Sequence, residues 1–143
     1  MTAHSNNGAA SVPMLDICRQ NAALQGEISA AMADICRTGA FVHGPACREI
    51  EAAIADYCQA KHAVGCASGS DALLLALTAL EVGPGDEVIL PSFTFFATAG
   101  AVWRLGAKPV FADILPETFN IDSEDVARKS TPSTKAILPG HLF

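Results

Sequence analysis

Two stretches near the start of the chain have apolar residues at the spacing of an amphipathic helix. In the first stretch the apolar residues recur every three or four positions, at Leu24, Ile28, Met32 and Ile35. Gly39 follows at the position where such a helix would end. In the second stretch an apolar face stands opposite a charged one, and it consists of Cys47, Ile50, Ile54 and Tyr57. The pattern therefore predicts two helices joined by a loop at residues 39–45. Residues 1–13 are small and polar, and we expect them to be a disordered leader.

From Lys61 onward, short apolar runs alternate with helical stretches, as in βαβ units. Four of these runs predict parallel strands, at residues 62–66, 87–90, 110–113 and 136–138. The helices predicted between them cover residues 70–80, 94–105 and 123–129. The expected fold class is α/β, with a mostly parallel sheet and helices on both of its faces.

Composition narrows the classes of partner. Half of the 143 residues are apolar, 17% are charged, and the net charge is −6. The sequence has no row of basic residues that could bind the phosphate backbone of a nucleic acid. No apolar run approaches the ~18 residues that a membrane helix needs. The five cysteines form no C-x-x-C pair, so we expect them to be reduced and mostly buried, and no spacing suggests a metal site. These features favour a cytoplasmic protein with a small-molecule ligand and without nucleic-acid or membrane partners.

The carboxyl ends of parallel strands meet at one edge of a sheet, where ligands bind. After the first predicted strand, a serine–glycine–serine bend leads into a helix at Ser68, Gly69 and Ser70. A helix N-terminus presents backbone amides to an anion such as phosphate, and glycine allows close approach. An ordinary serine-capped helix explains the same pattern without a ligand. Asp71 complicates the anion interpretation, because its carboxylate competes for the same helix dipole.

Three further residues lie at the same predicted edge. Phe95 could stack on a planar ligand, although a phenylalanine in this position is more often part of the core. Asp113 could bind a ligand hydroxyl, but capping its own turn is the commoner role. His141 follows the fourth predicted strand and could contact a ligand.

Five ordered segments of residues 16–143 resemble the DegT/StrS-type nucleotide-sugar aminotransferases, a fold type I pyridoxal-phosphate family. The segments are GAFVHGP, ASGSDALLLAL, GDEVILPSFTFFAT, GAKPVFADI and TKAILPGHLF. The resemblance implies a three-layer sandwich, pyridoxal 5'-phosphate as cofactor, and a homodimer in the complete protein. It also implies amino transfer, usually from glutamate, to a keto-sugar attached to a nucleotide.

The same resemblance assigns roles to individual residues. It implies that Ser68, Gly69, Ser70 and the backbone amide of Asp71 hold the cofactor phosphate, and that Phe95 stacks on the pyridine ring. Family members continue well beyond this length, with the Schiff-base lysine and a small C-terminal domain. We therefore expect residues 14–143 to be an incomplete N-terminal part of the cofactor-binding large domain.

None of the four lysines is expected to take the Schiff-base role. Lys61, Lys108 and Lys135 precede predicted strands, at the opposite edge of the sheet, and Lys129 follows a surface helix. One interpretation is a fragment of an aminotransferase that is inactive alone. A second is a non-catalytic module that binds a phosphate ligand or a partner. A third, a dinucleotide-binding half domain, lacks the G-x-G-x-x-G motif.

Overall fold

A computed structural model describes residues 12–142 and divides the chain into two compact units, Met1–Ala63 and Val64–Phe143. The predicted leader lies outside the described residues, except for Val12 and Pro13 at its end. No helix within residues 12–142 is long and apolar enough to cross a membrane.

Within residues 12–63, the first unit contains three helices, α1 (Ile17–Asn21), α2 (Gln25–Thr38) and α3 (Pro45–Tyr57). The two helices predicted from apolar spacing are confirmed, whereas the short α1 was not predicted. Helix α2 ends at Gly39, whose φ of 69° is left-handed and favours glycine. A Cβ atom at Gly44 would lie 2.5 Å from the carbonyl oxygen of Ala40, so this turn into α3 has no space for a side chain.

The second unit contains a parallel sheet of three strands, in the order β2-β1-β3. Its elements are α4 (Gly69–Ala79), β1 (Glu87–Pro91), α5 (Phe96–Arg104), β2 (Lys108–Ala112), α6 (Ser123–Lys129) and β3 (Thr134–Ile137). Three of the four predicted strands and all three predicted helices are confirmed, with their ends within two residues of the predicted ones.

The strand predicted at residues 62–66 is wrong. These residues have no regular secondary structure, and Val64 is 80% exposed. A strand forms only when a neighbour accepts and donates its backbone hydrogen bonds, and the apolar run itself does not supply that neighbour. In the described residues, only β2 and β3 pair with β1.

Strand β1 forms the centre of the core. Val88 and Leu90 pack in one buried cluster with Leu77 of α4 and Val102 of α5. Ile89 points to the opposite face of the strand and is also fully buried. Both faces of β1 are therefore covered, as is usual for a strand in a parallel sheet.

The five cysteines are free, and the expectation that most of them are buried is wrong. All of them are exposed, and four lie in or next to the helices of the first unit: Cys18, Cys36, Cys47 and Cys58. The described helices α1, α2 and α3 contain no buried residue. A cysteine is buried only where the helix that carries it is covered, and the described residues leave these helices uncovered around their cysteines.

Asp125 and Lys129 connect helix α6 to the end of β2. Asp125 is 6% exposed and accepts hydrogen bonds from the amide of Asp113 (2.7 Å), from Lys129 Nζ (2.8 Å) and from Arg128 Nη2 (3.2 Å). Lys129 also donates to the carbonyl oxygen of Phe111 at 2.8 Å. The hydrogen bond from Lys129, followed by that from the Asp113 amide, lowers the pKa of Asp125 from 3.8 to about 2.

Asp125→Asn is expected to lower the free energy of unfolding at neutral pH, because asparagine keeps the shape of the side chain but loses its charge. The folded-state pKa of Asp125 is the lower one, so its contribution is fully present above pH 3.8 and is lost as the pH falls towards about 2. Urea unfolding of both proteins across this range should give stability curves that converge at the acid end.

Glu124→Gln is the matched control for this change. The side chain of Glu124 is 87% exposed and lies 3.9 Å from Arg128, so its removal should have little effect on stability. Equal stability of Asp125→Asn and the unaltered protein at neutral pH would contradict the role given to Asp125.

Candidate functional site

The bend that enters helix α4 is exposed and is organised by a helix cap. Ser68 has an extended backbone, and its Oγ accepts a hydrogen bond from the amide of Asp71 at 3.2 Å. The carbonyl oxygen of Ser68 accepts a hydrogen bond from the amide of Ala72 at 2.9 Å and another from Cys66 Sγ at 3.4 Å. The serine-cap interpretation of this segment is therefore confirmed for Ser68.

The cap leaves two amides of the bend open to a ligand. Amides in the first turn of a helix have no acceptor within the helix. Those of Gly69 and Ser70 also find none elsewhere in residues 12–142, while that of Asp71 is used by Ser68. A Cβ atom at Gly69 would meet no atom within 4 Å, which leaves open space beside these donors. The bend thus fits a small anion while it still caps its helix.

Phe95 lies where β1 gives way to α5, and it is not a core residue of this unit. It occupies the N-cap position of α5 with an extended backbone, and 72% of the residue is exposed. Ser70 and Phe95 line the same open cavity, of about 300 Å³. The structure therefore brings the bend and the predicted stacking aromatic together.

Arg104 also lines this cavity, and the sequence analysis missed it. It is the one charged residue among the cavity's described lining residues. It shares a face of α5 with Ala97, Gly100 and Ala101, which precede it by seven, four and three positions and also line the cavity. No local motif marks Arg104 in the sequence, and this helical spacing becomes informative only when the bounds of α5 are known.

Asp113 is held within its own turn. Its Oδ1 accepts a hydrogen bond from the amide of Ile114 at 2.8 Å, and its carbonyl oxygen accepts one from the amide of Asp122 at 2.9 Å. Its amide donates to Asp125. The turn-capping role predicted as the commoner one is therefore confirmed.

His141 is exposed and follows a glycine that lies against the loop after β1. A Cβ atom at Gly140 would lie 3.0 Å from Thr94 Oγ1 and 3.5 Å from Pro91 Cγ. The residue before His141 therefore lies against the segment that leads to Phe95. Within residues 12–142, no group of three or more His, Cys, Asp or Glu side chains could hold a metal ion.

Two lysines of the second unit, Lys108 and Lys129, form ion pairs and do not line the cavity that Ser70 and Phe95 share. Lys108 Nζ lies 2.8 Å from Glu87 Oε1, and these residues are paired at the amino ends of β2 and β1. Lys129 is bound by Asp125 and by the carbonyl oxygen of Phe111. Among the described residues that line the cavity with Ser70 and Phe95, there is no lysine.

Comparison with known proteins identifies both a matching family and individual similar proteins. The model of the DegT/DnrJ/EryC1/StrS aminotransferase family matches residues 22–143. A pleiotropic regulatory protein of Geobacillus stearothermophilus is 52% identical over 133 residues, which are 93% of this chain and 36% of that protein. The UDP-N-acetyl-3-dehydro-alpha-D-glucosamine 3-aminotransferase of Acidithiobacillus ferrooxidans is 46% identical over 133 residues, with the same coverage.

A solved structure extends the likeness to the fold. NtdA from Bacillus subtilis, with bound cofactor PMP, has a TM-score of 0.87 and 36% sequence identity, over 97% of this chain and 32% of that one. The predicted α/β fold with its mostly parallel sheet is confirmed by this similarity. The chain spans about a third of the length of these relatives.

Ser68→Ala is expected to lower the free energy of unfolding by about 1 kcal/mol, because α4 loses its cap. Ser70→Ala is the matched control, since the Ser70 hydroxyl has no hydrogen-bond partner in the described part of the chain. Its effect should stay within about 0.5 kcal/mol. Urea unfolding in the absence of ligand measures both values, and equal losses would contradict the cap.

Proposed function

Because this chain belongs to the DegT/DnrJ/EryC1/StrS aminotransferase family, we propose that it is the amino-terminal part of a pyridoxal-phosphate-dependent sugar aminotransferase. The observation that carries the proposal is the open bend of α4, which offers the free amides of Gly69 and Ser70. This bend borders the cavity that Phe95 also lines. An anionic group and a planar ring can thus be held side by side.

The bend is suited to the cofactor's phosphate group. Hydrogen bonds from backbone amides to a charged group contribute about 1.5–3 kcal/mol each, and the positive end of the α4 dipole adds to them. The Ser70 hydroxyl is a further donor, and that of Ser68 still has its hydrogen to donate, since its oxygen is the acceptor in the cap. Asp71 can contribute its amide only by sharing it with Ser68.

The ring of Phe95 is suited to the cofactor's pyridine ring. When bound, pyridoxal phosphate supplies the electron sink that amino transfer needs. Phe95 would stack on one face of the ring and keep water from that face. Arg104 would add positive charge to the same cavity and so favour an anionic ligand there.

The acceptor in this proposal is a keto-sugar attached to a nucleotide, and the amino donor is glutamate. The Acidithiobacillus relative, whose name specifies a UDP-linked dehydro-sugar, supports this class of acceptor. His141, exposed beside the β1–α5 loop, is the residue of this chain that we propose for substrate contact.

The complete enzyme in this proposal is a cytoplasmic homodimer. The apolar faces of α2 and α3 are about half exposed in the first unit, with Ile28 and Ile54 each at 45%, which leaves surface for a partner to cover. The five free thiols fit a reducing compartment.

The coding sequence that follows Phe143 distinguishes this enzyme from a non-catalytic module. A glycine-rich continuation with an aspartate motif and a lysine motif supports the aminotransferase, whereas a stop codon supports the module. The product of the whole open reading frame is called the complete protein below.

In the complete protein, Gly69→Val is expected to reduce cofactor retention more than about tenfold, because the side chain occupies the space beside the phosphate donors. Ser70→Ala, which removes one hydroxyl donor, should reduce it only about twofold to tenfold. Absorbance of the cofactor that remains after dialysis measures both effects. A Cβ atom at Gly69 meets no protein atom within 4 Å, so the circular dichroism of the backbone should be unchanged. Equal retention in the two variants would count against the phosphate assignment.

Phe95→Ala is expected to weaken cofactor binding about twofold to tenfold, the usual contribution of an aromatic contact. Phe95→Tyr keeps the ring and is the matched control, with an affinity close to that of the unaltered protein. Titration of the cofactor-free complete protein with pyridoxal phosphate gives these affinities. Unchanged affinity in Phe95→Ala would remove Phe95 from the site.

A further inference from the structure

The loop at residues 113–122, between β2 and α6, is closed on itself by backbone hydrogen bonds. Ile114 and Ile121 form an antiparallel bridge, and the amide of Leu115 donates to the carbonyl oxygen of Asn120 at 2.9 Å. The amide of Phe119 donates back to the carbonyl oxygen of Leu115 at 2.8 Å. This closed loop is therefore a stiff support for the side chains near its tip.

Phe119 stands near this tip in an unfavourable backbone conformation. Its φ is 57°, in the left-handed region that bulky side chains rarely adopt. Such a conformation persists only where surrounding contacts hold it. The aromatic contact of Phe119 is with Phe93, at 5.7 Å between ring centroids and 35° between ring planes.

Phe93 belongs to the segment that connects β1 to Phe95, and this segment is held from three sides. The amide of Ser92 donates to the carbonyl oxygen of Ala112 at 3.3 Å, which ties the segment to β2. Gly140 approaches Thr94 closely on another side. The third support is the contact of Phe93 with Phe119. Phe93 precedes Phe95 by two residues, and the ring of Phe95 is itself largely exposed.

We infer that Phe119 is a positioning residue for the cofactor ring: by packing on Phe93, it fixes the segment that presents Phe95 to the cavity. This inference rests on the proposed function, since Phe95 must have a ring to stack on. Phe119 does not line the described cavity and contributes through Phe93. The phosphate donors belong to α4, so loss of the Phe119 ring should disturb the cofactor's ring and leave its phosphate contacts intact.

The test uses the complete protein with Phe119→Gly, which removes the ring and also relieves the positive φ, so that backbone strain does not confuse the result. Phe119→Tyr keeps the ring and is the rescue variant. Three quantities are measured: affinity for pyridoxal phosphate, the visible circular dichroism of the bound cofactor, and competition by inorganic phosphate. A double-mutant cycle with Phe93→Ala shows whether the two rings act as a pair.

We expect Phe119→Gly to weaken cofactor affinity about twofold to tenfold and to change the visible circular dichroism band, while competition by inorganic phosphate stays the same. Phe119→Tyr should behave as the unaltered protein, and Phe93→Ala should add little to Phe119→Gly. An unchanged affinity and band in Phe119→Gly would overturn the inference, as would an equal loss of phosphate competition, which indicates a general structural defect. Failure of the unaltered protein to bind the cofactor would instead overturn the proposed function on which the inference rests.

Discussion

The burial of strand β1 on both faces, between β2 and β3, fixes the geometry of the carboxyl edge of the sheet. Val88, Ile89 and Leu90 have no exposed surface. Full burial of such a side chain contributes about 1.5–3 kcal/mol. Together with the pairing of β1 to β2 and β3, this burial holds the strand in place. It therefore also fixes the point where Pro91 ends the strand and the chain turns towards Phe95.

Helix α4 is held to this central strand through Leu77, which is buried in the same cluster as Val88 and Leu90. The core thus positions the helix that carries the bend, while the residues of the bend, Ser68, Gly69 and Ser70, are themselves exposed. A rigid core beneath an open bend is the arrangement that a preorganised anion site needs, because the donors are in place before the ligand arrives. In the proposed site, different residues of the same helix would supply stability and binding.

Elements with local signals were predictable from the sequence, and elements that depend on distant partners were not. Helix α6 has the predicted ends because Asp122 caps it, acidic residues occupy its first turn and basic residues its last. Residues 62–66 carry an apolar run, but no local signal shows whether a neighbouring strand is present. For the same reason the sequence identifies Ser68 and Gly69 but not Arg104 or Phe119, whose relevance appears only when α5 and the loop at residues 113–122 are in place. The cap at Ser68 uses the amide of Asp71, and the anion binding that we propose would use those of Gly69 and Ser70, so the two roles are compatible.

Cys66 lies beside the bend for which we propose phosphate binding, although it is not one of the proposed phosphate-binding residues. Its Sγ donates to the carbonyl oxygen of Ser68, and the residue is exposed to solvent. A change in the bend on ligand arrival would alter how fast this sulfur reacts with a maleimide or a disulfide reagent. The other four thiols belong to the first unit. Once those four are replaced by serine, Cys66 offers a chemical reporter of occupancy that needs neither turnover nor an absorbing ligand.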